Sequence, residues 1–241
     1  MGIVYAIPSY LRAEKQSTLA WLKKSGVPRS MIVIAVQSEA DYGAYKERYA
    51  GDVRGIIYSP GRNLSENRNA ILDWNDGRDQ IVQLDDDIKE VVRLERGGKL
   101  SLLDNVISFT ERGFKEAARI GTPLWGIYPV ANPYFMDRKT STWALCEGTW
   151  MGIIECGLRF DSDQWLKEDF EYSCQVLGSF GAILRYDDVA AKANHVTGGG
   201  TYWREKAGAM CARVLKKHAW CLRANPRRKD EVLLRRKGGR A

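Results

Sequence analysis

Short apolar runs alternate with polar, helix-length segments through the first half of this chain. Val4-Tyr5-Ala6-Ile7 predicts a strand that Pro8-Ser9-Tyr10 ends, and Leu19 and Leu22, with Lys23 and Lys24 near the end, predict the helix that follows. Gly26-Val27-Pro28 closes that helix. Met31-Ile32-Val33-Ile34-Ala35-Val36 predicts a second strand, with a helix from Ala40 to Tyr49 after it, and Gly55-Ile56-Ile57-Tyr58 a third, shorter strand. A further helix starts near Asn63 or Ser65, either of which can cap free backbone amides. The fourth run, Ile81-Val82-Gln83-Leu84, stops at three consecutive carboxylates, Asp85, Asp86 and Asp87.

Strands and helices alternating at such intervals imply βαβ units and a parallel sheet, in which ligands bind beyond the carboxyl ends of the strands. Each polar cluster named so far follows a strand: Pro8, Ser9, Tyr10 and Arg12, then Gln37 and Glu39, then Asn63 and Arg68, then the aspartates. Together they define one expected site, with Arg68 and the helix-start amides as candidates for neutralising phosphates. The aspartates by themselves read either as a solvated acidic turn or as ligands of a hard divalent ion completed by phosphate oxygens. If the extended backbone persists, Asp85 and Asp87 face one way and Asp86 the other. Neither GxGxxG nor GxxxxGK[ST] occurs, so a dinucleotide fold and a P-loop are not supported.

The second half is less regular. Helical spacing over 103–120 is followed by a strand from Leu124 to Val130, and 132–152 is rich in aromatics and glycine, as acceptor clefts often are. Trp143 and Trp150 within it read equally as core. A helix opens at Lys167-Glu168-Asp169, where acidic residues suit a first turn, and Ala182 to Tyr186 predicts another strand. His195 then precedes a run of three glycines.

Composition changes this picture mainly at the C-terminus. The chain of 241 residues carries a net charge of +7, but from residue 201 onward 13 basic residues face 3 acidic ones, a net of +10 that leaves −3 for the first 200. A near-neutral body with a basic tail suggests a polyanionic partner, most obviously nucleic acid, or else a merely solubilising terminus. Arg213, Lys216 and Lys217 fall near helical spacing, and Arg227, Arg228 and Lys229 read as a flexible arm. Five cysteines without a CxxC pair argue for reduced thiols, against both a disulfide framework and a structural zinc site. Lacking a basic leader and any apolar stretch long enough to span a bilayer, the chain is expected to be soluble and cytoplasmic, without a membrane partner.

The order of these features resembles that of a nucleotide-sugar glycosyltransferase of the GT-A fold, over roughly residues 3 to 200. The marks are a Rossmann-like first half, an aspartate motif after the fourth strand (Asp85 to Asp87), a Glu-Asp pair opening a later helix (Glu168-Asp169) and a histidine after the last core strand (His195). More narrowly, Ile7 to Arg12, Gly61-Arg62-Asn63 with Asn67-Arg68-Asn69, and Leu84 to Asp87 resemble the TET-associated glycosyltransferases of phages, a family linked to sugar addition on 5-hydroxymethylated pyrimidines in DNA.

The resemblance implies an α/β fold with a mostly parallel central sheet flanked by helices over 1–200, to which the charge and spacing of the remainder add a basic helical C-terminal extension over 201–241. It also implies Mn2+ or Mg2+ held by Asp85, Asp87 and His195, and a donor, UDP-linked in the simplest case, bound by Pro8, Ser9, Tyr10, Arg12, Gln37, Glu39, Asn63, Arg68, Asp85 and Asp86. Asp169 would act as general base, with Glu168 able to exchange roles with it. The acceptor would be DNA carrying a hydroxymethylated pyrimidine, gripped by Arg213, Lys216, Lys217, Arg227, Arg228 and Lys229. A protein or small-molecule acceptor, a nucleotidyltransferase and an inactive DNA-binding relic of the fold remain alternatives.

Overall fold

The structure, a computed structural model, describes residues 2–193 and 201–237, with backbone alone for 201–205. Twelve strands and six α-helices follow one another in the described residues. The first half is β1 (Gly2–Pro8), α1 (Ser17–Lys24), β2 (Ile32–Val36), α2 (Glu39–Tyr49), β3 (Gly55–Tyr58), α3 (Leu64–Asn75), β4 (Asp79–Gln83), β5 (Ile88–Leu94) and β6 (Leu100–Leu102). The second half is α4 (Val106–Arg119), β7 (Leu124–Tyr128), β8 (Thr140–Ser141), β9 (Met151–Ile153), α5 (Glu168–Phe180), β10 (Leu184–Ala193), α6 (Thr201–Lys217), β11 (Leu222–Ala224) and β12 (Val232–Leu234).

Ten strands form one sheet in the order β3-β2-β1-β4-β9-β7-β10-β5-β6, with β8 paired to β10. The first four strands pair in parallel, as do β7 and β10. Because β9 is antiparallel to both β4 and β7, all six of those strands point the same way, and their carboxyl ends share one edge.

Central strands of such a sheet are buried on both faces, so their side chains divide between two cores. Tyr5, Ile7, Ile32, Ile34 and Val82 pack on one side against Leu19 and Trp21 of α1, Tyr45 of α2 and Phe109 and Phe114 of α4. Val4, Ala6, Val33, Ala35 and Ile81 pack on the other against α3, α5 and α6. Trp150 lies in the first core, 1% exposed, which decides its role.

The basic C-terminal segment differs from the expected tail. After α6 the chain returns as a hairpin, β11 paired antiparallel with β12, and Cys211, Val214, Cys221, Leu222 and Val232 complete the second core beside Cys174, Val176 and Leu177 of α5. Arg227, Arg228 and Lys229 are therefore exposed positions in the turn of a packed hairpin, not a free arm. All five cysteines are free thiols. No described helix is long and apolar enough to cross a membrane.

Candidate active site

The three aspartates occupy the turn between β4 and β5, just past the carboxyl edge, so the strand alternation does not govern them. Asp85 accepts a bond from Arg68 Nη2 at 2.8 Å through Oδ1, and its backbone carbonyl accepts from the Thr18 hydroxyl. Asp86 turns toward the end of β1, where Ser9 Oγ and Arg12 Nη1 each donate to it at 2.5 Å. Burial holds the Asp86 carboxyl above its ordinary range, with Ser9 and Arg12 opposing the shift. Arg12 also approaches Asp87, at 3.7 Å.

Across the edge, α5 opens on Lys167, whose φ of 59° is left-handed, and no side chain caps the helix. Its free amides are met instead by acidic residues in the first turn. Glu168 is 6% exposed and accepts from Arg68 Nε at 3.3 Å. Asp169 is fixed by two backbone amides, Gly148 N–H on Oδ2 and Phe170 N–H on Oδ1, both at 2.8 Å. Burial raises the values of both carboxyls; the neighbouring Asp169 charge adds to the shift of Glu168, while the Gly148 amide and Arg68 oppose that of Asp169.

Arg68 and Gly148 join the two halves. Arg68 has no exposed surface and stands between Asp85 and Glu168, with its Nη1 on Gln83 Oε1. Burial alone would lower its value, yet Asp85, Glu168 and Asp169 hold it above the ordinary one. Gly148 lies so close that a Cβ there would come within 2.2 Å of Arg68 Nη2 and 2.9 Å of Asp85 Oδ1, so any side chain at this position would push the Arg68–Asp85 pair apart. The aspartate turn, the start of α5 and the loop before β9 thus converge on one point.

Several expected roles change. Arg68 was the candidate for neutralising phosphates, but burial between two carboxylates makes it an internal bridge. Glu168, expected to be able to exchange roles with Asp169, is turned inward on Arg68, while Asp169 is the less buried of the two. Pro8 is buried, and Ser9, 3% exposed, bonds Tyr45 at 2.7 Å and Gln16 at 2.6 Å as well as Asp86. Asn63 caps α3 by accepting from Glu66 N–H and donates to the Ser162 carbonyl, while Gln37 donates to the Asn63 carbonyl. These side chains shape the edge from within. Tyr10 and Glu39 are exposed, and Arg12 is partly so. His195 lies outside the described residues.

Of the basic residues assigned to DNA, Arg213 pairs with Asp161 at 3.0 Å, and Lys217 pairs with Glu171 at 2.6 Å and Asp161 at 2.9 Å. Those two charges hold α6 on the body. Lys216 stays exposed, as do Arg227, Arg228 and Lys229.

One carboxylate escaped the sequence reading. The Glu147 backbone carbonyl accepts from Trp150 N–H at 3.1 Å, and burial, followed by the Asp169 charge, pushes the carboxyl from 4.5 up to about 7 against the pull of Lys167 and Arg185. Its only sequence signal was an acidic residue before a glycine in an otherwise apolar, aromatic stretch. The folded state binds this proton more tightly than the unfolded chain does. The corresponding stability is full below pH 4.5 and is lost as pH rises through about 7. Glu168 and Asp169 shift in the same direction. Thermal unfolding without divalent ions is therefore expected to show a midpoint that falls between about pH 5.5 and pH 7.5. Glu147→Gln should flatten that fall, and an identical slope in the variant would contradict the assignment.

Solved structures share this architecture. A mannosyltransferase from Pyrobaculum calidifontis, in complex with GDP-Man and Mn2+, superposes with a TM-score of 0.64 at 13% identity over 93% of this chain and 66% of its own. Residues 1–349 of S. aureus TarS match with a TM-score of 0.54 at 12% identity, and the same protein in complex with UDP with 0.56 at 14%, each over 89% of this chain and 66% of its own. The fold is that of the GT-A glycosyltransferases. This chain spans just under two thirds of the length of each of those chains. No protein-family model matches the sequence, and no curated protein matches it.

Proposed function

We propose that this protein is a metal-dependent glycosyltransferase that moves a sugar from a nucleotide donor, UDP-linked in the simplest case, to the hydroxyl of a 5-hydroxymethylated pyrimidine in DNA. The observation that carries the catalytic half of this reading is Asp169. It is a carboxylate with a raised value, oriented by two backbone amides and joined through Gly148 and Arg68 to the aspartate turn, at the edge where sheets of this kind bind ligands.

Among the described residues, no three His, Cys, Asp or Glu side chains gather closely enough to hold an ion alone. That fits Mg2+ or Mn2+ held by one or two carboxylates and completed by substrate phosphates, and Asp85 and Asp87 are the carboxylates this reading assigns. When bound, the ion would neutralise charge on the departing diphosphate. Asp169 takes the proton from the acceptor hydroxyl as that oxygen bonds to the anomeric carbon. The bond from that carbon to the diphosphate breaks, and the nucleoside diphosphate leaves with the electron pair. Arg68 does not touch the donor; it holds Asp85 and Glu168 in place.

The acceptor half rests on charge. With Arg213 and Lys217 spent within the fold, the exposed cations Arg223, Arg227, Arg228, Lys229, Arg236 and Lys237 concentrate on the β11–β12 hairpin and just beyond it, a surface suited to phosphates.

Mass spectrometry of hydroxymethylated DNA after incubation with a panel of nucleotide sugars tests the whole reading. A mass gain of one hexose is expected with one donor and not with unmodified DNA. Transfer to a protein or small molecule but never to DNA would reject the acceptor. In parallel, Asp87→Asn is expected to weaken Mn2+-dependent UDP binding in calorimetry and nearly abolish transfer without changing thermal stability. Full activity of the native protein in excess chelator would sink the metal assignment.

A further inference from the structure

The loop after β7, residues 129–139, leaves the sheet at the same edge as the aspartates. It is firmly tied. Met136, 7% exposed, packs with Leu94 and Ala190; Asp137 N–H donates to the Asp187 carbonyl, and Asp187 N–H to the Lys139 carbonyl, both at 3.0 Å. Phe135 and Met136 each donate a backbone bond to the Asn132 carbonyl, and Tyr134 donates one to the Asn132 side chain. This well-bonded loop nevertheless holds two large aromatics in water. Tyr134 is 86% exposed and Phe135 58%, with ring centroids 4.9 Å apart and edge to face. Ordered exposure of adjacent aromatics forgoes burial that a few residues of slack would recover, and so marks a contact surface.

What surrounds the pair identifies the contact. Arg138 and Lys139, both exposed, come three and four residues after Phe135; Lys139 pairs with the exposed Asp137 at 3.2 Å, which leaves Arg138 as the cation nearest the pair in sequence that is not in that ion pair. Four residues beyond Lys139, at most about 14 Å of extended chain, Trp143 donates its indole N–H to the Arg235 carbonyl at 2.7 Å. Trp143 also packs edge to face on Trp220, itself 49% exposed, and lies under Lys237 Nζ at 5.8 Å. The segment that follows β8 is thereby bonded to the cationic hairpin, so that the exposed rings of Tyr134 and Phe135, the cation Arg138 and the basic hairpin are linked by one short stretch of chain. Stacking rings interleaved with cations is the pattern that holds unpaired nucleotides, whose bases offer flat faces while their phosphates need neutralising. A protein partner or a second copy of this chain would use the rings but has no comparable need of the charges.

We infer that Tyr134 and Phe135 form a stacking platform for an unpaired base, so that the acceptor strand is engaged in single-stranded or locally opened form, with the β11–β12 hairpin holding its phosphates. This deepens the proposed function and rests on its nucleic-acid half. A base locked in a duplex presents its 5-substituent in the major groove, away from a carboxylate set at a sheet edge, so opening the strand also solves a problem of access.

The test measures binding of a labelled single-stranded oligonucleotide, and of its duplex, by fluorescence anisotropy over a range of salt concentrations. Calorimetric UDP binding serves as the check that each variant is folded. Tyr134→Ala with Phe135→Ala is expected to weaken single-strand binding by roughly tenfold or more, the scale of losing one stacked base. Its salt slope should not change, because stacking releases no counterions. Tyr134→Phe should retain wild-type affinity, whereas Phe135→Leu, apolar but not planar, should not. Arg227→Ser, Arg228→Ser and Lys229→Ser together should flatten the salt slope. Loss of salt dependence in that triple variant alongside wild-type affinity in the double alanine variant would overturn the platform while leaving the nucleic-acid reading intact. Failure of the native protein to bind any oligonucleotide would overturn both. A native dimer in sedimentation analysis that dissociates in the double alanine variant would give the surface to a second copy instead.

Discussion

Asp169→Asn is expected to lower turnover by roughly two to four orders of magnitude, the usual worth of a positioned general base, while UDP affinity barely changes. The amide is close in size to the carboxylate and can still accept from Gly148 N–H through its oxygen, so the loop before β9 should keep its place. What disappears is the group able to take a proton. Burial raises Asp169 above the ordinary aspartate range, which strengthens it as a base, and the two amides aim it. Glu168→Gln supplies the contrast. Its effect should appear in stability as much as in turnover, because Glu168 answers Arg68 in the interior. Single-turnover kinetics with donor affinity measured separately decides the matter. If Asp169→Asn lost donor affinity in the same proportion as turnover, Asp169 would belong to donor binding, and the base would have to be sought at Glu147.

Parts of this arrangement were legible in the sequence for physical reasons. Strands buried on both faces tend to be nearly continuous apolar runs, and β1 and β2 are such runs; β4 was readable from Ile81-Val82 and the Leu84 that follows, and the shorter edge strand β3 from Ile56-Ile57. The aspartate turn could be placed at the carboxyl edge of the sheet because it follows a readable strand, whereas Asp169 was singled out through the resemblance in the order of features. Three-residue strands carry too little pattern to read, so β9 went unseen although it joins the two parallel halves of the sheet. The hairpin was read as a flexible arm because its two short strands flank the conspicuous Arg227-Arg228-Lys229. Burial of single polar residues was the least visible property of all. An arginine in the second turn of a polar helix start reads as exposed; only the tertiary fold, by bringing Asp85 and Glu168 to either side of it, turns Arg68 inward.

Arg68→Met should cost about 3–5 kcal/mol of stability, the range for removing one partner from a buried ionic cluster. For a chain of this size that is a fall of roughly 6–20 °C in the unfolding midpoint. Methionine fills much of the arginine's volume, so the loss comes less from a cavity than from the bonds to Asp85, Gln83 and Glu168 that go with the guanidinium. Glu168, 6% exposed, would be left beside Asp169 without its cation, and Asp85 would lose its Arg68 bond. Glu168 would then respond by holding its proton to still higher pH, so the fall in stability with rising pH should steepen relative to wild type. Arg68→Lys should lie between the two, since an ammonium keeps the charge but lacks the planar fork that lets Nε reach Glu168 while Nη2 reaches Asp85. The decisive variant is Arg68→Met combined with Glu168→Leu. Removing both buried charges should recover a substantial part of the loss, because an apolar pair of similar volume is often as stable as the ion pair it replaces. A double variant less stable than Arg68→Met would show that Glu168 is held by contacts other than Arg68, and a wild-type midpoint in Arg68→Met itself would mean that the two carboxylates are not charged together. The bridge would then have to be redrawn with one of them protonated from the start.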